Sequence, residues 1–585
     1  MLAYTLKRLA AGLVSLFVLA TVTFFLVRLI PGSPFQSGSV SSQVVEAVEE
    51  EYGLTEPLFD QYAAYMGNLA RGDLGISYQE PDTSVAEIIG RTWPVTASLG
   101  IMALLTAVIL GTGLGILRAV SKNKAVREGI AAGGMLLAGI PNFAAAILLL
   151  LVFSVKLKWF PSAGLLSPAH YVLPVAALML YPMAVISRLT GNALAAEMDR
   201  QYVLFARAKG LGRGRILFTH ALKNAWVPVL NYVGPASAFL LTGSFVVESI
   251  FTIPGLGREF VSSVTNRDYT LILGLTVFMG TVVILVNLAT DLVCAWLDPK
   301  LRRSYSVNIR KETARLVRGN RQALAGCVIL GIWILLAVLV PLFWPWSYSE
   351  QNAEIRNQAV SLAHLFGTDK FGRDIFSRVW YGAGISLLIG TASALINGCV
   401  GVAFGAAAGY AGRRTDMVMM RAADIIASIP SMLYVILITL VAGAGAGSII
   451  LGLCVAGWID MARIVRGEIQ RLKETDFAAA ARMEGISRSR ILWRHLLPNA
   501  AGPILVNLVF MIPHAIFTEA FLSFLGLGLE PPAASLGTII QEARSQMLVY
   551  PYQMVCPLIV LCVMLLAFNA VGTAAEGQLR RGKGR

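Results

Sequence analysis

The sequence predicts an all-α polytopic membrane protein with about twelve transmembrane helices in two parallel six-helix halves. Three observations carry that reading. The 585-residue chain is 56% hydrophobic and only 14% charged, with mean hydropathy +0.68, whereas soluble domains carry about 25% charge. Twelve apolar runs approach or exceed the ~20 residues that a spanning helix needs. A 29-residue string recurs, altered, 275 positions further on. A water-soluble enzyme and a disordered or fibrous chain are both excluded. The excess of 48 Lys+Arg over 34 Asp+Glu reads as loops facing anionic membrane lipid rather than as a nucleic-acid surface. The six cysteines lie in or beside apolar runs without Cys-x-x-Cys spacing, and the five histidines are scattered. Neither disulfides nor a metal or catalytic constellation is expected.

The first span is Leu9–Val27, behind Lys7 and Arg8. It is too long for a signal-peptide core and reads as an uncleaved anchor. Further runs are Val95–Leu117, Ile130–Val155, Tyr171–Ile186, Trp226–Val247 and Leu271–Thr290. After a polar stretch come Ala323–Trp344, Ile385–Tyr410, Ile425–Val441, Ser448–Val465, Pro503–Phe524 and Met554–Val571. Loop charge sets the orientation. Pro31–Pro94 holds ten acidic residues against Arg71 and Arg91, and belongs outside. The loop with Arg118, Lys122, Lys124 and Arg127 belongs inside, as do Ser187–Ala225 and the basic stretch Asp298–Arg321. Both termini are then cytoplasmic.

The repeat aligns Tyr202–Leu230 with Phe477–Leu505, with thirteen of 29 positions identical. The pairs include Ala206/Ala481, Arg207/Arg482, Gly210/Gly485, Arg213/Arg488 and Asn224/Asn499. Weaker matches align Glu248–Gly257 with Glu519–Gly528, and Ile140-Pro141 with Ile429-Pro430. Parallel repeats imply two halves of one orientation with a pathway between them. The best-matched segment is a loop, which points to a shared task there. It reads as helix, glycine, helix, with Gly210 or Gly485 at positive φ and basic amphipathic helices over Arg213–Leu222 and Arg488–Leu497. The small Ala206 and Ala481 would let another protein approach closely.

At this segment the chain resembles the membrane subunits of ABC importers of the dipeptide/oligopeptide/nickel type. Their coupling loop is built around Glu-Ala-Ala-x-x-x-Gly. The Glu position holds Leu204 and Ala479 here, while Ala206, Ala481, Gly210 and Gly485 are kept. Residues 1–303 are similar to the B-type permease, through Arg71-Gly72-Asp73-Leu74-Gly75, Gly243–Glu248 and Asp298–Arg302. Residues 322–573, within a second half at 322–585, resemble the C-type permease, through Gly367–Asp374, Arg494–Asn499 and Leu522–Gly528. The resemblance implies a natural fusion with the type I importer permease fold, cores at about 95–297 and 384–573, and a cytoplasmic basic linker at 304–321. It departs from the family at Ala534–Gly537 and in the basic tail Arg580, Arg581, Lys583 and Arg585.

The implied function is the permease of an ATP-driven importer for di- or oligopeptides, placed in the cell membrane. A permease for nickel or another metal chelate is the alternative within the family. An ion-coupled secondary transporter is the alternative outside it. The implied partners are two ABC nucleotide-binding subunits, an extracytoplasmic substrate-binding protein and membrane lipid, with no nucleic acid. Ala206, Arg207, Gly210, Arg213, Ala481, Arg482, Gly485 and Arg488 would couple to the ATPase subunits. Glu248, Gly257, Asp369, Arg373, Asp374, Glu519 and Gly528 are candidates for a gate or for extracytoplasmic docking. The nearest string to a phosphate loop, Gly577–Lys583, is followed by Gly584 where Ser or Thr is required. ATP and Mg are therefore assigned to partner subunits, with no cofactor and no enzymatic activity expected of this chain.

Overall fold

The computed structural model describes residues 2–29, 34–35, 42–51, 53–297, 321–427, 431–530 and 532–581. The basic stretch from Asp298 to residue 320, Ile429-Pro430, and Lys583 and Arg585 of the tail lie outside the described residues. Among the described residues the only β structure is two isolated bridges. The chain divides into two compact units, Met1–Arg303 and Ser304–Arg585.

The first unit holds α1 (Leu2–Arg28), α2 (Ser42–Glu51), α3 (Leu58–Ala70), α4 (Val85–Val120), α5 (Lys124–Gly139) and α6 (Asn142–Leu149), the last prolonged by a π-helical turn. It continues with α7 (Ala169–Met198), α8 (Gln201–Ala208), α9 (Arg213–Arg215), a π-helical segment Ile216–Ala221, α10 (Leu222–Ala225), α11 (Val227–Leu241), α12 (Phe245–Ile250), α13 (Leu256–Thr265) and α14 (Tyr269–Leu297). The second unit holds α15 (Arg321–Phe343), α16 (Ile375–Tyr410), α17 (Arg413–Ala427), α18 (Ser431–Ala442), α19 (Ala446–Ala456), α20 (Trp458–Lys473), α21 (Asp476–Met483), α22 (Arg488–Arg490), a π-helical segment Ile491–Leu496, α23 (Leu497–Phe524), α24 (Leu536–Ala543) and α25 (Tyr552–Arg581).

Among the described residues, nine helices are long and apolar enough to cross a membrane, or up to eleven if each bent pair is one span. The shorter apolar stretch Gly12–Arg28 of α1 is additional. Each of the twelve expected runs overlaps these helices in its described residues. Their ends differ from expectation in three ways. α4 and α16 start ten residues before Val95 and Ile385, because Ser84 and Asp374 cap them by accepting from the amides of Glu87 and Ser377. Each helix therefore runs 36 residues, about 54 Å at 1.5 Å per residue. α7 continues past Ile186 to Met198, carrying Arg188 and Glu197 beyond the apolar run. The run Ser448–Val465 is interrupted at Gly457, which divides α19 from α20.

Two pairs are bent: α5 and α6 by 100°, and α17 and α18 by 69°. At the first, Pro141 brings no N–H to continue the α5 ladder. Small residues let the long helices meet backbone to backbone. A Cβ on Gly111 or Gly115 of α4 would lie 2.8 Å from the carbonyl oxygen of Met183 or Ser187 on α7. On α16, Gly401 and Gly409 approach the Trp458 and Arg466 carbonyls of α20 in the same way, at 2.6 and 2.8 Å.

Candidate functional site

The recurring loop folds as the sequence predicts at its turn. α8 and α21 are eight residues each, and Gly210 and Gly485 follow at φ +77° and +73°. That left-handed conformation is cheap only without a Cβ. It lets the Leu211 and Ile486 amides return to the Ala206 and Ala481 carbonyls at 3.3 and 3.2 Å. Neither glycine has a neighbour within 4 Å of a built Cβ, so conformation alone selects glycine here.

Beyond each corner, the expected plain helix is a short α-turn followed by a π-helical segment, at Ile216–Ala221 and Ile491–Leu496. The two segments sit at the same repeat offset. A π segment leaves carbonyls without their usual i+4 partner. In the second unit the Asn499 amide donates to the His495 carbonyl at 2.5 Å. The aligned Asn224 donates instead to the Tyr202 hydroxyl at 3.2 Å, and Tyr202 in turn donates to Glu197 at 2.6 Å.

Ala206 and Ala481 correct the sequence reading. Both are buried and face their own unit. Ala206 packs with Leu194, Val203 and Ile216, and Ala481 packs with Ile469, Leu472 and Ile491. Their smallness lets α8 and α21 lie against the helix before them, and it opens nothing to a partner. The exposed faces are Leu204, Phe205, Arg207 and Arg213 in one corner, and Ala479, Ala480, Arg482, Met483 and Arg488 in the other. Arg482 is held by the carbonyls of Ala478 and Lys473 at 3.1 and 3.0 Å, which fixes its stem along α21.

Glu248 and Glu519 are both buried, and each is met by a hydroxyl on the twelfth residue of a 36-residue helix. Thr96 on α4 donates to Glu248 at 3.1 Å, and Ser386 on α16 donates to Glu519 at 2.8 Å. Their remaining donors differ. Glu248 takes backbone N–H groups from Ser244 and Arg258, both at 3.1 Å, and one from Gly257. Glu519 takes hydroxyls from Ser523, at 2.8 Å, and Ser535. Gly257 is part of the first cradle, since a Cβ there would lie 2.9 Å from a Glu248 oxygen. Gly528 is packed as tightly, since a Cβ there would lie 2.5 Å from the Ser523 Cα.

Asp369, Arg373 and Asp374, candidates for a gate or for extracytoplasmic docking, are also turned inward and leave no exposed surface for docking. Arg373 and Arg378 together bridge Asp369 and Glu542. The Arg373 Nε donates to Asp369 at 2.6 Å, and Arg378 donates to Asp369 and Glu542 at 2.7 and 2.8 Å. Arg373 also donates to Glu542. Burial pushes the Glu542 carboxyl up, but Arg378 and Arg373 outweigh it and hold the group below its usual range. Asp374 caps α16 and meets the His364 Nδ1 at 2.9 Å. These residues brace the start of α16. Sequence reasoning missed Arg378, Glu542 and His364. Arg378 left a trace, as an arginine in an otherwise apolar helix that must find a carboxylate.

Among the described residues, the second unit holds a polar pairing that the first does not repeat. Arg466 of α20 donates twice to Asp416 of α17, at 2.5 and 2.7 Å, and Arg463 meets Asp424 at 2.9 Å. They border an open cavity of about 790 Å³. The repeat puts Arg127 and Gly191 at the positions of Asp416 and Arg466.

The duplicated corners and duplicated glutamate cradles match a duplicated family signature. The model of the binding-protein-dependent transport system inner membrane component matches twice, over residues 111–303 and 401–583. The chain belongs to that family. The N-terminal model of the same membrane component matches residues 1–100, and the N-terminal transmembrane domain of oligopeptide transport permease C matches residues 310–359. The oligopeptide transport system permease protein OppB of Haemophilus influenzae is 40% identical over 305 residues, 52% of this chain and 100% of the relative. OppC of Bacillus subtilis is 42% identical over 274 residues, 47% of this chain and 90% of the relative. The dipeptide permease DppB of Bacillus subtilis is 40% identical over 300 residues, 51% of this chain and 97% of the relative. This permease is thus a fusion of two subunit types, and a multi-pass membrane protein.

Proposed function

We propose that this permease supplies both halves of the translocation pathway of an ATP-driven importer for di- or oligopeptides. The observation that carries the reading is the likeness of the chain to both an oligopeptide B-type and an oligopeptide C-type permease. Peptides rank above metal chelates because these relatives are named for peptides. The exposed faces around Gly210 and Gly485 meet two nucleotide-binding subunits, which hold ATP and Mg, and an extracytoplasmic binding protein delivers the substrate. Both termini and the corners lie in the cytoplasm, as the positive-inside rule requires. The domain limits 1–303 and 322–585, joined by the 304–321 linker, describe the two working halves. Glu248 anchors the start of α13 through backbone N–H groups, and Glu519 ties α23 to α16 and to the Ser535 cap of α24 through hydroxyls, rather than either relaying protons.

The test is reconstitution into vesicles with separately purified nucleotide-binding subunits and the binding protein. Labelled tetrapeptide uptake is expected only with all components and ATP, and a nickel chelate is not taken up. ATP hydrolysis by the permease alone, or uptake driven by a proton gradient without ATP, overturns the proposal.

A further inference from the structure

We propose that α3 is an interfacial helix, seated in the headgroup and upper acyl layer of the leaflet reached by the C-terminal end of α1. Its uncovered apolar face contacts phospholipid. The inference rests on α1 being a span and is independent of the transported substrate.

Depth comes first. The Tyr62 hydroxyl of α3 and the Thr21 hydroxyl of α1 share a hydrogen bond at 2.8 Å. Tyr62 stacks on Phe25 and Tyr65 stacks on Phe24, with centroids 5.4 Å apart in each pair. Thr21 lies six residues before Val27, the end of the apolar run, which is about 9 Å at 1.5 Å per residue. Interfacial helices sit about 5–10 Å into the boundary between headgroups and acyl chains. The residues around the contact form a belt of the kind found at membrane–water interfaces. The Arg28 guanidinium lies over the Phe24 and Tyr269 rings, 5.5 and 5.7 Å from their centroids.

The faces of α3 give the occupant. Tyr62, Tyr65 and Leu69 turn towards the unit and are half-buried. Phe59, Ala63 and Ala70 share the next face and are exposed, Phe59 by 75%. Asp60 and Asn68 lie roughly 120° further round, at 3.6 residues per turn. The apolar arc is therefore wider than the part that α1 covers. Its uncovered part continues the exposed side of the span, where Phe17 and part of Phe25 also remain uncovered. A surface continuous with a lipid-facing helix, at this depth, is matched by lipid. A docked soluble protein would have to reach below the headgroups to cover it.

The test uses the full chain with its native cysteines replaced, shown to retain uptake, and reconstituted in phosphatidylcholine–phosphatidylglycerol vesicles. Spin labels are placed at Phe59→Cys, Ala63→Cys, Asp60→Cys and Asn68→Cys, and collisions with oxygen and with a water-soluble nickel chelate are compared. Labels at 59 and 63 are expected to favour oxygen several-fold, and those at 60 and 68 to favour the chelate. Chelate access at 59 and 63 equal to that at 60 overturns the proposal. So does exclusion of both reagents from 59 and 63, which would mean a protein covers that face. Loss of peptide specificity or of ATP coupling would leave the collision pattern unchanged, so the two proposals fail separately.

Discussion

Glu248 and Glu519 look interchangeable in the sequence, yet the structure predicts unequal responses to the same substitution. Replacing either carboxylate by glutamine keeps the shape and puts an NH₂ where an oxygen accepted. At Glu519 the partners are the hydroxyls of Ser386, Ser523 and Ser535. A hydroxyl can rotate and accept from the new NH₂. At Glu248 both oxygens face backbone N–H groups, that of Ser244 on Oε1 and that of Arg258 on Oε2. Those donors cannot reverse, so either amide orientation sets N–H against N–H in a buried site. An unsatisfied buried polar group costs about 1–3 kcal/mol. Glu248→Gln should therefore lose about 1–3 kcal/mol, while Glu519→Gln stays near wild type. The assay is the fraction of detergent-purified permease that remains monodisperse after heating, with Glu248→Ala and Glu519→Ala as references for full loss. If Glu519→Gln is as damaging as Glu248→Gln, the reasoning from donor type is wrong.

At the corners, Gly210→Ala and Gly485→Ala meet no atoms but force a left-handed alanine, a strain of about 1–2 kcal/mol. Asparagine tolerates that region, so the Asn variants should keep more ATP-driven uptake and slower amide exchange at the corner than the Ala variants. Gly485→Asp and Gly210→Asp, which add negative charge to a basic corner, should insert normally and lose coupling to ATP hydrolysis in the vesicle assay. Gly537→Ala would place a Cβ 2.6 Å from the Ala520 Cα and should prevent stable purification. Gly331→Ala, inside α15 with nothing within 4 Å, should be neutral or gain about 0.5–1 kcal/mol, read from the same heating assay. The lowered Glu542 carboxyl contributes stability that is fully present above its unfolded value, near 4.5, and is lost as pH falls through the folded one. Melting followed from pH 7 to pH 3 should be flat, then fall below about 4.5, and Glu542→Gln should remove part of that acid limb.

Hydropathy, loop charge and residue spacing were enough for the membrane class, the twelve apolar runs, the duplication and the two glycine corners. Each of these follows from local properties: hydropathy summed over a span, charge in a loop, and a φ that only glycine adopts cheaply. Tertiary structure decided what each residue faces. Ala206 and Ala481 turned inward because α8 and α21 lie on the preceding helix, and periodicity over eight residues does not say which side will be covered. α4 and α16 begin ten residues early because their caps and the contacts beneath their first turns hold helix beyond the apolar run. Arg378 found Glu542 at a separation of 164 residues, and the two glutamates received different donors from loops that the repeat aligns only loosely. A buried charge needs a partner, so its presence can be read from composition. Which partner it finds depends on how distant helices pack, and no local pattern records that.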